Sequence, residues 1–271
     1  MAAEGVHSGA APLTALLSGL LAKLGVFGLV RLAVPMGLVT AQSGTSPTTS
    51  LLTWMAALAA IAILYAGLIA WVQTDAKRLV AYSSISHLGF CVLALCALNT
   101  MGVQTTVLYM VNHGISTAAI FFMLGMIEGR FGTRRFDLLS GLGRGRPKLA
   151  FFFVLFVMSS IGLPLTNGFV SEFLSILSVM PAKHLGIGYV IVAGGGILLG
   201  AIYMLHMVAR LIFGPQRVPV ETAGDLCGRE LAILIPLAIM VFVLGVRPGP
   251  LLNSIQPLGA AIHAPLPASH K

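Results

Sequence analysis

Apolar segments long enough to cross a lipid bilayer make up most of this chain. Residues 51–72, for example, contain no charged side chain, and about 20 apolar residues let a helix span the hydrocarbon core. Only 9% of the 271 residues are charged, whereas soluble domains carry about 25%. Because backbone groups inside a bilayer must find their hydrogen bonds within the protein, such segments form helices. The sequence therefore predicts an all-α, multi-pass membrane protein.

The apolar pattern predicts about seven transmembrane helices, one of them broken. The predicted spans are 13–36, 51–72, 77–98, 105–127, 149–180, 186–212 and 230–247. Span 149–180 is too long for one crossing, and the segment 162–168, Gly-Leu-Pro-Leu-Thr-Asn-Gly, interrupts it. Pro164 removes a backbone donor and clashes with the preceding turn. We therefore expect a broken helix of the kind that lines transport sites; a simple kink that aids packing is the alternative.

The basic residues indicate topology rather than a nucleic-acid partner. Most of them fall in the loops after the second, fourth and sixth predicted spans, and excess Lys and Arg marks cytoplasmic loops. The first span is therefore expected to begin inside. The net charge of +8 includes no dense basic run interleaved with aromatic residues, so no nucleic-acid binding is expected. The three cysteines lack the spacing of an iron–sulfur or zinc site, so neither a metal nor a redox centre is expected.

Lys23 is the most unusual residue for its position. It lies near the middle of the first predicted span, about ten residues from either end. A lysine at that depth costs roughly 3 kcal/mol on insertion scales. Its ammonium could extend to the membrane surface, as membrane lysines often do, but its distance from both ends makes this difficult. The sequence therefore favours an internal, partly hydrated cavity in which the charge is used.

Glu172 is a second ionisable group in an apolar segment. It follows the predicted helix break by about one turn. The dipole of a helix N-terminus stabilises an acid there by about 0.3–1 kcal/mol, which is less than the cost of inserting a charge. This difference favours a proton-exchanging role for Glu172 over a purely structural one.

His87 and His113 lie in the middle of neighbouring predicted spans. Helical spacing places hydroxyl side chains on their faces: Ser83 and Ser84 for His87, and Tyr109, Ser116 and Thr117 for His113. One membrane histidine is often only an interhelical hydrogen-bonding group. Two with hydroxyl neighbours favour a proton relay, because imidazole takes up and releases protons near neutral pH. Neither has a second strong ligand at i+3 or i+4, so a metal pair is not expected.

Four stretches that contain these residues carry a family resemblance: residues 7–31, with Leu-Ala-Lys-Leu-Gly at 21–25, and residues 73–89, 113–130 and 162–173. They are similar to the M subunit (chain 4) of proton-pumping NADH:quinone oxidoreductase, respiratory complex I, in the Mrp-antiporter-like membrane subunit family. Glu172 is the discriminating residue, since related L and N subunits and most antiporter homologues usually have lysine there.

The resemblance implies a role for each residue. Lys23 would link two half-channels, His87 and His113 would form the central polar axis, and Glu172 would be the exchange group of the second half-channel. Quinone reduction elsewhere in the complex would supply the energy. The chain itself would bind no cofactor, with flavin, iron–sulfur clusters and quinone held by other subunits. Its partners would be L- and N-type subunits, in a bacterial plasma membrane or a mitochondrial inner membrane.

The resemblance also implies a domain division. The family has about fourteen helices in two inverted five-helix repeats, and this chain resembles the C-terminal half. Residues 1–50 would hold the last helix of the first repeat, 51–213 the second repeat, and 214–271 a final helix with an exposed tail. The chain is therefore expected to be a fragment of a longer protein. Two other interpretations stay open: a subunit of a cation/proton antiporter or membrane-bound hydrogenase, and a non-conducting scaffold.

Overall fold

A computed structural model describes residues 21–33, 47–182, 184–217 and 224–255 of the chain. Within these ranges the regular elements are helices, and strand-like pairing is limited to an isolated bridge between Asp75 and Arg135. The helices are α1 (Ala22–Gly28, continuing as a π-helical turn over Leu29–Ala33), α2 (Pro47–Trp71), α3 (Ala76–Cys96), α4 (Thr100–Phe131), α5 (Pro147–Ile161), α6 (Asn167–Val179), α7 (Ile187–Leu211) and α8 (Gly228–Val246). The predicted all-α class is confirmed.

Five helices are long and apolar enough to cross a bilayer: α2, α3, α4, α7 and α8. The chain is thus a multi-pass membrane protein, as predicted. The count of about seven spans stays a prediction, because α5 and α6 are each short and the first predicted span is described only from residue 21 to residue 33. The domain division also stays a prediction, and the tail beyond residue 255 lies outside the described residues.

The predicted break in the fifth span is confirmed, although Gly162 ends the helix rather than Pro164. Gly162 has a φ of +82°, a left-handed conformation that glycine adopts without a steric penalty. Its N–H donates to Ser159 O (3.3 Å), and the next N–H, of Leu163, donates to Met158 O (3.0 Å). These bonds satisfy carbonyls at the helix end in a Schellman arrangement. Pro164 follows two residues later, in the linker to α6.

The inner helices of the bundle are α3 and α4. Most of their residues are buried, whereas most of α2, α7 and α8 faces outwards. The outward faces carry large apolar side chains such as Trp54, Leu58 and Tyr65 on α2. Helices that are apolar all round suit a membrane, and the two most enclosed ones are those that carry His87 and His113.

Ion pairs join α3 to α4 at the end predicted to face the cytoplasm. Asp75 caps α3 by accepting from Arg78 N (3.1 Å) and contacts Arg134 (3.0 Å). Lys77 Nζ lies 2.6 Å from Glu128, which also contacts Arg134 (3.3 Å). Lys77 is 1% exposed and the Glu128 side chain 33%, and removing the counter-ion of a buried charge is costly. The network therefore fixes the ends of the two inner helices against each other.

The N-terminus of α5 is capped from a distant loop. The carboxylate of Asp225 accepts hydrogen bonds from the backbone N–H groups of Lys148 (2.9 Å), Leu149 (3.0 Å) and Leu226 (2.8 Å). Partial burial acts to raise the pKa of Asp225, but the three backbone donors outweigh it and the pKa is lowered from its usual value. The ionised carboxylate therefore stabilises the start of α5.

Replacing Asp225 with Asn tests this cap. Because the folded-state pKa is lowered, the carboxylate stabilises the fold above its unfolded pKa of about 3.9, and this stabilisation is lost as the pH falls through the folded pKa. At pH 7 we expect Asp225→Asn to lower the free energy of unfolding by about 0.3–1 kcal/mol, the contribution of a negative charge at a helix N-terminus. Thermal unfolding in detergent at pH 7 and near pH 3 measures it. If Asp225→Asn is destabilised relative to the wild type by the same amount at both pH values, the carboxylate of Asp225 is not the cap.

Replacing Gly168 with Ala tests the packing of the broken helix. A Cβ at position 168 would lie 1.9 Å from the backbone oxygen of Ser159 and 3.5 Å from Gly162 Cα, so α5 and α6 must separate to admit it. Overpacking of this kind costs about 1–3 kcal/mol, measured as a lower unfolding midpoint in detergent. Gly194→Ala is the matched control, because nothing lies within 4 Å of a Cβ there. Equal midpoints for the two variants would refute the close approach.

Candidate functional site

Four ionisable side chains predicted to lie inside the membrane are buried. Lys23 is 7% exposed, His87 6%, His113 7% and Glu172 5%. They come from four helices, α1, α3, α4 and α6 respectively. The helix α1 that carries Lys23 contacts α3 and α4. An apolar bundle therefore encloses four groups that can carry charge.

Three of these groups form one cluster. The imidazole rings of His87 and His113 have centroids 4.9 Å apart. Glu172 Oε1 lies 3.9 Å from His87 Nδ1. The sequence placed the histidines in neighbouring helices and the acid after the break. The fold brings them together because α6, the second half of the broken helix, packs against both α3 and α4.

Each histidine has one hydroxyl partner. His113 Nε2 lies 3.0 Å from Thr117 Oγ1, one turn along α4. His87 Nδ1 lies 2.9 Å from the hydroxyl of Tyr109. Spacing along α4 put Tyr109 on the face of His113, whereas its hydroxyl bonds the other histidine. The physical reason is that this face of α4 packs against α3, where the long phenol reaches across to His87.

The other predicted hydroxyls bond elsewhere. Ser83 and Ser84 donate to Val80 O, at 2.8 Å and 3.0 Å, within their own helix. Ser116 lies 2.9 Å from Ser159 Oγ on α5 and donates to Asn167 (3.2 Å). Ser116 therefore ties α4 to the broken helix.

Two buried asparagines, absent from the residues picked out in the sequence, join α4 to the start of α6. Asn112 Nδ2 donates to Asn167 O (3.0 Å), and Asn167 Nδ2 donates back to Asn112 O (3.1 Å). Asn112 also donates to Ser171 (2.7 Å), and Asn167 Oδ1 accepts from Ser159 (2.6 Å). We call this reciprocal contact between Asn112 and Asn167 the amide clamp. The signal that could have found it is an amide in mid-span beside His113, with a second one in the break.

A small cavity lies inside the cluster. Its lining comprises His87, Tyr109, Asn112, His113, Ser116, Ser159, Ser160, Gly168, Ser171 and Glu172. Its volume is about 10 Å³, close to the smallest space that holds one water molecule. Among the residues that line it, three buried polar atoms have no hydrogen-bond partner within the described part of the chain: His87 Nε2, His113 Nδ1 and Asn112 Oδ1. All three residues line the cavity, which therefore offers the polar partners that a buried water needs.

The break also makes room for the acid. A Cβ on Gly162 would lie 2.3 Å from Glu172 Oε2, closer than any real Cβ contact. The carboxyl of Glu172 therefore packs directly against the backbone of the glycine that ends α5.

The cluster holds side chains whose chemistry includes proton uptake and release. Imidazole can accept a proton at one nitrogen and release one at the other. The 3.9 Å between His87 Nδ1 and Glu172 exceeds hydrogen-bond distance, so direct exchange needs a closer approach of about 1 Å or an intervening water. Within residues 21–33, 47–182, 184–217 and 224–255, no three His, Cys, Asp or Glu side chains are grouped to hold a metal.

Comparisons with known proteins extend over most of the chain. Residues 3–208 match the family described as NADH:quinone oxidoreductase/Mrp antiporter, TM. NADH-quinone oxidoreductase subunit M of Rhodobacter capsulatus is 35% identical over 242 residues, which cover 89% of this chain and 45% of that subunit. The chain thus spans about half the length of the curated relatives that it matches.

Solved structures also match nearly the whole of this chain with about half of their own length. A chain of respiratory complex I from Thermus thermophilus, determined with bound NADH, matches with a TM-score of 0.80 and 27% identity over 93% of this chain and 51% of its own length. A chain of the Mrp complex from Dietzia sp. DQ12-45-1b matches with a TM-score of 0.85 over 97% of this chain and 55% of its own length. At 22% identity, the Mrp likeness concerns the fold alone.

Proposed function

Because this chain belongs to the membrane family shared by NADH:quinone oxidoreductases and Mrp antiporters, we propose that it is part of a proton-translocating membrane subunit of an NADH:quinone oxidoreductase. Relatives at about 35% identity are named subunit M of that oxidoreductase. The proposed partners are therefore the L- and N-type membrane subunits of the same complex. Flavin, iron–sulfur clusters and quinone would reside in other subunits, and this chain would translocate protons without binding NADH.

The observation that carries the proposal is the shared cavity of His87, His113 and Glu172. Burying ionisable groups within membrane helices costs several kcal/mol, and such groups mark ion or proton pathways. A scaffold has no need of three ionisable groups at one point inside the membrane. The separations in the cluster, 4.9 Å between the imidazole centroids and 3.9 Å from His87 Nδ1 to the acid, are short enough for one intervening water to connect neighbouring groups.

Lys23 would couple the cluster to the rest of the complex. Two charges ~10 Å apart at an effective dielectric of ~20 interact by ~1.7 kcal/mol. A change in the charge or position of Lys23 would therefore shift the protonation equilibrium of a histidine at that distance by more than about tenfold. In this scheme protons pass between His113 and His87 and then to or from Glu172. Energy from quinone reduction would set the order of these steps.

Glu172→Gln in the assembled complex tests the proposal. The amide keeps the shape of the acid but cannot exchange a proton, and a positioned acid–base group is worth at least about 100-fold in proton transfer. We expect NADH-driven acidification of inverted membrane vesicles to fall at least about tenfold, with Lys23→Ala giving a similar loss. The complex should still assemble on native gels.

Asp137→Asn is the matched control. It makes the same acid-to-amide change at an exposed site, where Asp137 contacts Arg135 (2.8 Å) in the loop between α4 and α5. We expect unchanged acidification for this variant. If the Glu172 and Lys23 variants also pump at the control rate in an intact complex, the chain is a scaffold and the proposal is wrong.

A further inference from the structure

One nitrogen of His87 faces two groups that compete for it. The hydroxyl of Tyr109 lies 2.9 Å from His87 Nδ1, and Glu172 Oε1 lies 3.9 Å from the same atom. The phenol is within hydrogen-bond distance and the carboxyl is not. All three side chains line the same cavity. In this arrangement Tyr109, not Glu172, holds the nitrogen through which the acid and His87 would exchange a proton.

The direction of the hydrogen bond follows from the surroundings of the phenol. Tyr109 is 2% exposed, and His87 Nδ1 is the acceptor found for its hydroxyl within the described residues. A buried O–H group that does not donate costs about 1–3 kcal/mol. Donation to Nδ1, which then carries the lone pair, removes this cost, and a water in the cavity can accept from the N–H at Nε2, which has no partner in the described part of the chain. In a neutral imidazole the proton then sits on the other nitrogen, Nε2.

The phenol ring itself is held in place. It stacks on Phe90 of α3, with centroids 6.0 Å apart and an angle of 17° between the planes. Phe90 also lies beside His87, with centroids 6.3 Å apart. Rotation about the Cζ–O bond turns the hydroxyl hydrogen away without moving the ring, and this is enough to release Nδ1.

We propose that Tyr109 gates proton exchange between His87 and Glu172 by holding Nδ1 of the neutral imidazole. While the phenol donates to Nδ1, the carboxyl of Glu172 cannot deliver a proton to that lone pair. Once the hydroxyl turns away, the carboxyl moves closer by about 1 Å to a charge-assisted hydrogen bond. Tyr109 is thus a positioning residue, and the inference rests on the proposed function of the cluster.

The gated step balances as follows. The O–H bond of the protonated Glu172 carboxyl breaks and an N–H bond forms at His87 Nδ1, which gives an imidazolium beside a carboxylate. The imidazolium then passes its other proton from Nε2, through a water in the cavity, to the lone pair of His113 Nδ1, an unpartnered atom of a residue that lines the same cavity. The result is one proton moved from Glu172 to His113, which becomes an imidazolium, with His87 neutral and protonated at Nδ1. The reverse sequence moves a proton towards Glu172.

Tyr109→Phe in the complete complex tests the gate by spectroscopy. Nitrogen-15 NMR of histidine-labelled protein separates the two neutral tautomers, and the signal of His87 is identified by its loss in His87→Gln. In the wild type we expect His87 to carry its proton on Nε2. In Tyr109→Phe the population protonated at Nδ1 should rise about fivefold relative to the Nε2 form, the effect of removing one ordinary hydrogen bond.

Tyr203→Phe is the matched control, since it removes another buried phenol hydroxyl, 1% exposed, from α7. We expect its His87 signal to match the wild type. A wild-type His87 signal, assigned with His87→Gln, that shows the proton on Nδ1 overturns the proposal even if Tyr109→Phe fails to assemble. An unchanged tautomer ratio in an assembled Tyr109→Phe complex also overturns it.

A functional readout accompanies the spectroscopy. Without the gate, protons should leak through the cluster. In vesicles that lack NADH, passive proton flux should therefore rise about fivefold in Tyr109→Phe. Adding Glu172→Gln to this variant should return the flux to the wild-type value. A leak that persists in the double variant argues against the gate. The two proposals fail separately: full pumping by Glu172→Gln alone contradicts the proposed function, whereas an unresponsive His87 tautomer contradicts only the role of Tyr109.

Discussion

The amide clamp between Asn112 and Asn167 is the contact on which the site depends. A helix broken at membrane depth leaves backbone and side-chain polar groups that lipid cannot satisfy. Here the two amides bond each other's backbone carbonyls at 3.0 Å and 3.1 Å. Because Asn112 precedes His113 and Asn167 begins the helix that carries Glu172, the clamp also holds the helix of His113 against the helix of Glu172. The same two hydrogen bonds therefore satisfy polar groups at the break and hold the helices of the site together.

A second set of constraints operates at the end of the inner helices. Ion pairs tie the start of α3 to the end of α4, at a distance from the histidines. They involve Asp75, Lys77, Glu128 and Arg134. The two inner helices are therefore joined both at mid-membrane and at their ends.

Much of the architecture could be predicted because apolar length and helix-breaking residues are local signals. The broken helix, the all-α class and the burial of Lys23, His87, His113 and Glu172 all follow from the sequence pattern. The number of spans could not be fixed in the same way, since α5 and α6 together occupy one predicted crossing.

The partners of individual side chains were beyond the reach of spacing alone. Helical periodicity says which residues share a face, but not which neighbouring helix meets that face. Tyr109 shares the face of His113 and yet bonds His87, because a long side chain crosses to the next helix. Asn112 and Asn167 are 55 positions apart, and only the packing of α6 against α4 brings them together. Contacts between distant segments thus account for most of what the sequence left open.

Gly162 illustrates how closely the shape of the backbone and the chemistry of the site are linked. Its left-handed turn stops α5, and its missing side chain is the space that the Glu172 carboxyl occupies. A bulkier residue here would strain the left-handed turn and displace the Glu172 carboxyl at the same time. A side chain at position 162 would therefore alter the end of α5 and the position of the acid together.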